Sequence, residues 1–343
     1  MRVCMAITIK DVAKEANVSP STVSRVIANN PRISEETKKR VREAMDKLGY
    51  HPNFTARSLA VNSTATIGVV MPFSASHVLQ DPFFPEVIRG ISVQAREHKY
   101  GLYLSTAGTE DEIYEEVVGM VQGRRVDGLI LLYSRTDDRI IKYLQKIDFP
   151  FTVIGRPVIG AERVTYVDND NIYITKVVTD YLIGLGHTKI AFVGYDGDFV
   201  FMLDRLEGYK QALSEAGISF NENYIVQKST LNKGKEAIIS FLSSVDTPTA
   251  LVCTDDFIAI ELMSHFEELT IRVPGDVSIA SFNNVLLAEY SKPPLTSVDI
   301  DIFQLGVEGA SCLIEKIKNP DVLPKRITIP AKLIERKSCA RIK

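Results

Sequence analysis

Residues 8–28, TIKDVAKEANVSPSTVSRVIA, hold two short apolar-periodic segments separated by a turn of three or four residues. Ile9, Val12, Ala13 and Ala16 recur at helical spacing, and so do Val23, Val26 and Ile27. Thr8, with Asp11 three residues on, suits a capping box at the first helix. Ser19–Pro20 reads as an N-cap followed by a first-turn proline, whose missing N–H is no loss there. Asn17 stands in the turn, and asparagine tolerates the left-handed conformation better than other non-glycine residues. A third helix is expected from Ser34 to Leu48, with Glu35 and Glu36 at its positive end and Val41, Ala44, Met45 and Leu48 buried. With Val23, Val26 and Ile27 turned inward, Ser21, Thr22, Arg25 and Ala28 face outward or lie at the edge. Short hydroxyls reach phosphates, and Arg25 is long enough to offer two donors to a guanine edge. The stretch predicts a helix-turn-helix head that binds double-stranded DNA.

The charge distribution agrees. The 343-residue chain carries a net charge of −3. Residues 1–61 nevertheless hold 11 Lys/Arg against 6 Asp/Glu, while the remainder holds 29 against 37. A basic head (+5) on an acidic body (−8) is expected where only one end meets phosphate. Cys4, Cys253, Cys312 and Cys339 are far apart and show no ligand spacing, so reduced thiols and no metal are expected. Met1 to Lys10 contains no apolar signal region, and no 18-residue apolar run occurs, which predicts a cytoplasmic protein without membrane spans.

From Thr66 onward, β-rich runs alternate with amphipathic helical patterns. The runs are TIGVVMPF, YGLYLSTAG, VDGLILLYS, FPFTVIGR, TKIAFVGYDG, TALVCTDD and VSIASFNN. This predicts an α/β body with parallel, doubly wound sheets in two lobes, dividing near residues 163–171. Ligands in such sheets lie beyond the carboxyl ends of the strands, so Ser134, Asp255, Asp256, Asn283 and Asn284 are expected to face one crevice.

The string DVAKEANVSPSTVSRVIANNPRISEETKKRVREAMDKLGYHPNFTARSLA (11–60) resembles the DNA-binding head of the LacI family of bacterial transcription regulators, and the likeness continues along the whole chain. The resemblance implies an all-α head at 1–52 and a hinge helix or linker at 53–64. An effector-binding and dimerisation body with a periplasmic-binding-protein-like fold would occupy 65–340. One lobe would span about 65–162 and 296–326, the other about 163–295 and 327–340. LTSVDID at 295–301 would be a crossing strand. It further implies phosphate contacts from Ser19, Thr22 and Ser24 and base reading by Pro20, Ser21 and Arg25, with Thr8 at the same face. Pro20 has no side-chain donor and offers only apolar contact. Leu59, in ARSLA, corresponds to the leucine that wedges into a central base step.

For the effector, the resemblance implies Arg205 (in LDRLEGY) forking onto ligand oxygens, Asp255 and Asn283 bonding hydroxyls, and Phe83 and Phe84 lying against the ligand. Ser134 and Asp168 complete the expected cleft. The segments DPFFPEVIRGI and SFNNVLLAEYSKPPLTSVD are most similar to maltose-operon repressors of Gram-positive bacteria, which implies maltose or a maltodextrin as effector. A homodimer on a pseudo-palindromic operator follows. Two other regulator readings stand beside it, a different sugar and dependence on a corepressor. A transport binding protein lacks support, and so does an enzyme: GxxxxGK[ST], GxSxG and HExxH are absent, the five histidines stand singly, and no catalytic residue or cofactor is expected.

Overall fold

A left-handed residue sets the geometry of the head: Asn17 stands at φ 53°, and the Val18 N–H returns to the Ala13 carbonyl at 2.9 Å. The computed structural model describes residues 7–27, 30–50, 63–72, 79–195, 198–227 and 247–342. The turn joins α1 (Ile9–Glu15) to α2 (Pro20–Ile27), and α3 (Glu35–Leu48) follows. Asp11 accepts hydrogen bonds from the Thr8 backbone N–H and hydroxyl at 2.8 and 2.7 Å, and the Ser34 hydroxyl accepts from the Thr37 N–H. Gly49, at φ 64°, ends α3. Val12, Ala13, Ala16, Val23, Val26, Val41 and Ala44 form the core. Ile27, Met45 and Leu48 pack against it only partly buried, while the Lys38 stem is buried and its ammonium reaches Glu35 at 2.6 Å. The chain divides into two compact units, the first ending at Thr64 and the second beginning at Ala65.

The second unit contains two six-stranded sheets. The first uses β1 (Thr66–Val70), β2 (Gly101–Leu104), β3 (Gly128–Leu131), β4 (Phe151–Ile154), β5 (Thr165–Asp168) and β11 (Arg326–Thr328). Their order is β11-β5-β4-β3-β1-β2, all parallel. The second uses β6 (Ile190–Tyr195), β7 (Ile225–Gln227), β8 (Ala250–Cys253), β9 (Ser278–Phe282), β10 (Thr296–Asp299) and β12 (Lys332–Ile334), in the order β12-β10-β9-β8-β6-β7. Here β12 runs antiparallel to β10 at the sheet edge, and the remaining pairs are parallel. The central strands GLIL and ALVC are buried along their whole length, as strands covered on both faces must be.

Helices α4 (Phe83–Glu97), α5 (Glu110–Gln122), α6 (Arg139–Lys146) and α11 (Ile302–Lys318) belong to the first lobe. Helices α7 (Asn171–Gly184), α8 (Val200–Glu215), α9 (Asp256–Glu268) and α10 (Leu286–Tyr290) belong to the second. The α4–α11 pair packs backbone to backbone. A Cβ on Gly306 would stand 2.2 Å from the Val87 carbonyl oxygen, and one on Gly90 2.2 Å from that of Phe303.

The lobe boundaries differ from those expected. β5 pairs with β4 and β11, so the first lobe runs through Asp168 rather than ending at residue 162. β10 pairs in parallel with β9 (Thr296 with Ala280), so 296–299 belongs to the second lobe, and the chain returns to the first after Ile300. β11 registers Ile327 against Val167, and the last crossing comes after Ile329 rather than at 327. All three crossings meet at one side chain. The Asn169 amide nitrogen donates to the Ile300 carbonyl at 3.0 Å and to the Ile329 carbonyl at 2.9 Å.

A buried carboxylate plays a similar part inside the second lobe. Asp256, fully buried at the start of α9, accepts from the Ser281 hydroxyl, the Ser297 hydroxyl at 2.6 Å and the Val285 N–H at 2.9 Å. It thereby ties α9 to β9, β10 and the entry to α10. Burial pushes its carboxyl up to about 6, although these three donors pull the other way.

Two outcomes follow. Asn169→Ala removes both donors from buried carbonyls and should cost about 1–3 kcal/mol, read as a fall of a few degrees in the thermal midpoint of the second unit. An unchanged midpoint contradicts the role given to Asn169. Because the folded-state value of Asp256 lies above the roughly 3.9 of an exposed aspartate, folding takes up a proton in that window. The associated stability is present below about pH 4 and lost as pH rises through about 6. Relative to Asp256→Asn, the wild-type protein should therefore gain thermal stability between pH 7 and pH 5. A difference that stays constant with pH would count against this titration.

Candidate functional site

Two sets of residues carry chemistry, one in each unit. In the head, Ser19 caps α2: its hydroxyl accepts from the Thr22 N–H at 3.1 Å and lies 2.7 Å from the Ser21 hydroxyl and 2.9 Å from that of Thr22. Ser19, Pro20, Ser21, Ser24 and Arg25 are exposed and Thr22 half-buried, so the hydroxyls and the guanidinium lie on the surface of one helix. Arg25 joins no ion pair among the described residues. Thr8 is already engaged by Asp11, whose carboxyl is held below its usual range by the Thr8 hydroxyl and backbone N–H. Leu59 lies outside the described residues.

In the second unit, a solvent-open cavity lies between the lobes. Its walls are the carboxyl ends of strands: Ser134 beyond β3, Gly155 beyond β4, Asp168 at the end of β5, Asp255 beyond β8 and Asn283 beyond β9. Phe83, Phe84 and Arg205 line the same cavity, whereas Asp256 and Asn284, expected at this crevice, do not: Asp256 is turned inward to Ser281, Ser297 and the Val285 N–H, and the Asn284 side-chain oxygen accepts from Arg336 at 2.7 Å.

Arg205 is 4% exposed, and its guanidinium lies 4.1 Å above the Phe282 ring and 5.2 Å from that of Phe201. Nε donates to the Asn171 side-chain oxygen at 2.9 Å and Nη1 to the Thr254 carbonyl. Loss of water lowers its pKa to about 10, with Asp255, Asp168 and Asp256 opposing the fall, so it stays cationic at neutral pH. The cation is thus held by neutral acceptors and flat rings.

The other residues are partly committed. Asp168 accepts from the Arg156 N–H, the Asn169 N–H and the Asn171 amide at 2.8, 2.8 and 3.1 Å, while burial pushes its carboxyl up to about 6. Asp255 caps α9 by accepting from the Ile258 N–H at 2.8 Å. The Ser134 hydroxyl donates to the Arg156 carbonyl at 2.6 Å. Asn283 stands at φ 103°, a strained conformation retained at the strand end and compatible with a side chain aimed by the fold. Phe83 and Phe84 meet edge to face at 5.1 Å, and the Phe83 N–H is held by Asp81 at 3.0 Å.

Sequence reasoning did not single out Asp81, Tyr133, Asn171, Phe199 and Phe201, which also line the cavity. The alternation of Phe199 and Phe201 just before LDR was the available signal, since it puts two rings beside the helix that carries Arg205. Asn171 begins the helix after β5, and its role depends on a partner 34 residues away. His187 takes a structural place: its ring nitrogens lie 2.9 Å from the Thr249 hydroxyl and 3.0 Å from the Ala340 carbonyl. Among the described residues, no helix is long and apolar enough to cross a membrane.

Comparison with known proteins places this geometry. Residues 8–53 match the lacI family of bacterial regulatory proteins, and residues 179–339 match the periplasmic binding protein-like domain. The HTH-type transcriptional regulator MalR of Streptococcus pneumoniae serotype 4 is 38% identical over 338 residues, covering 97% of this chain and all of the relative. A putative LacI transcriptional regulator from Bacillus cereus subsp. cytotoxis superposes with a TM-score of 0.78 at 46% identity, covering 81% of this chain and 99% of its own. The transcriptional regulator CelR in complex with cellobiose gives 0.75 at 30% identity, covering 97% and 99%. With a helix-turn-helix head, a two-lobed body and a relative 38% identical along nearly its whole length, the chain belongs to the LacI family of bacterial transcriptional regulators.

Proposed function

We propose that this protein is a cytoplasmic repressor of a sugar-utilisation operon, holding its operator as a homodimer until maltose or a maltodextrin fills the inter-lobe cavity. The observation that carries the reading is the cleft itself. It combines aromatic faces with one buried cation and several oriented hydrogen-bonding groups. Rings suit the apolar faces of a sugar, and oriented polar groups suit its hydroxyls. Asp81, Asp168 and Asp255 outnumber Arg205 along the walls, which favours a neutral ligand over a phosphorylated one. The name of the MalR relative and the cellobiose held by CelR support a sugar effector.

On the operator, Ser19, Thr22 and Ser24 would bond phosphates, with Pro20, Ser21 and Arg25 at base edges and Thr8 bordering them. Leu59, in the hinge segment, would wedge a base step. A homodimer also accounts for Phe257, Leu286, Leu287 and Tyr290. These side chains on α9 and α10 are 46–69% exposed, an apolar surface that a second copy would cover. Effector binding that favours one lobe arrangement need supply only about 1–3 kcal/mol of coupling to change operator affinity 5- to 150-fold.

The test is a fluorescence-anisotropy titration of a labelled palindromic operator, with and without maltose. Maltose should weaken binding, whereas an affinity indifferent to maltose but responsive to another sugar would discard the maltose assignment. Arg25→Ala should weaken specific binding by about 1–3 kcal/mol, with much less effect on random duplex. Equal losses on both duplexes would make Arg25 a phosphate contact instead. Arg205→Ala should lower sugar affinity about 10- to 100-fold by calorimetry and leave operator affinity in the absence of sugar unchanged. Retained sugar affinity would move the binding site elsewhere.

A further inference from the structure

The lobes touch directly beside the cavity, away from the three crossings. The segment after β3 and the start of α8 belong to different lobes, yet they form a short antiparallel bridge between Arg135 and Phe199. Across it the Val200 N–H donates to the Ser134 carbonyl at 3.1 Å and the Thr136 N–H to the Asp198 carbonyl at 3.3 Å. The Arg135 guanidinium lies 4.5 Å above the Phe199 ring. Nearby, Arg156 of the first lobe reaches Asp204 of the second with two parallel bonds, Nε to Oδ2 at 3.0 Å and Nη2 to Oδ1 at 2.6 Å. Asp204 is 8% exposed.

Each partner adjoins the cleft wall. Arg156 follows Gly155, and Asp204 precedes Arg205. The Arg156 main chain is fixed at both ends, its N–H on Asp168 and its carbonyl on the Ser134 hydroxyl. Ser134 therefore joins the two contacts, because its carbonyl receives the Val200 N–H and its hydroxyl holds the Arg156 loop. A forked guanidinium–carboxylate pair is both directional and strong, and a partly enclosed one is screened less than a surface pair.

We propose that Arg156 and Asp204 are positioning residues that hold the lobes together beside the cavity, and so set the fraction of protein ready to accept effector. The proposal rests on reading the cavity as the effector site. Where only a fraction of molecules is competent, apparent affinity falls by that fraction, so loosening the pair weakens ligand binding without removing a ligand contact.

The test reads the main-chain bridge itself, with no ligand present. The Val200 and Thr136 amides cross between lobes, and their hydrogen exchange reports on separation. In the full-length protein, Arg156→Ala and Asp204→Asn should each speed exchange at these amides about ten-fold or more, the effect of losing a charge-assisted bond. Amides of β3 and β8 should stay protected. Arg156→Lys should fall between, and the double variant Arg156→Ala/Asp204→Asn should exchange no faster than the faster of the two single variants. Calorimetry with maltose should show a similar loss of affinity in the single variants. Wild-type exchange at Val200 in Arg156→Ala overturns the proposal, as does acceleration throughout both sheets or additive effects in the double variant. If maltose binds neither the wild-type protein nor any variant, the effector reading fails while the exchange result still decides the role of the pair.

Discussion

Two hydrogen bonds from a single amide nitrogen fasten the crossings between the lobes of the second unit. Three chain segments pass between the lobes, and Asn169, on the first, donates to carbonyls on the second and third. A primary amide presents two protons in one plane, a geometry that no hydroxyl or carboxylate reproduces. The cleft wall is built around this point. Asp168 and Asn171, on either side, hold the Arg156 loop and the Arg205 guanidinium respectively. The same short stretch therefore ties the three crossings together and sets where the principal cation of the cavity sits.

That cation illustrates how the site balances charge. Placing a guanidinium away from water is costly unless its protons are bonded, and here neutral oxygens and two aromatic faces meet it rather than a carboxylate in direct contact. The carboxylates nearby are engaged by backbone N–H groups and loop amides. Under the proposed effector reading, Arg205 would keep hydrogen-bonding capacity for a ligand oxygen, where a direct ion pair would have consumed it.

Much of this was legible in the sequence, for physical reasons that differ by region. The head is local: an N-cap, a first-turn proline and a left-handed asparagine determine it within twenty residues, and the structure follows. The long apolar strands were equally clear because burial on both faces excludes polar residues. Short strands such as TYVD and IVQ were not, since three or four residues of mixed character carry no period. Which sheet β10 joins is a matter of pairing with β9, a partner about sixteen residues away that periodicity does not identify. The cleft residues at strand ends were found because α/β topology places ligands there. Asp204 was missed because its partner, Arg156, lies 48 residues away in the other lobe.

The glycine contact between α4 and α11 has a mechanical consequence. At so close an approach, neither helix can roll against its neighbour without driving main-chain atoms into one another, so the two behave as one stiff plate. One edge of that plate is the Phe83–Phe84 pair, and another is the residue that leaves the second crossing, Asp301. Any rotation delivered through the second crossing must swing the aromatic pair along with it.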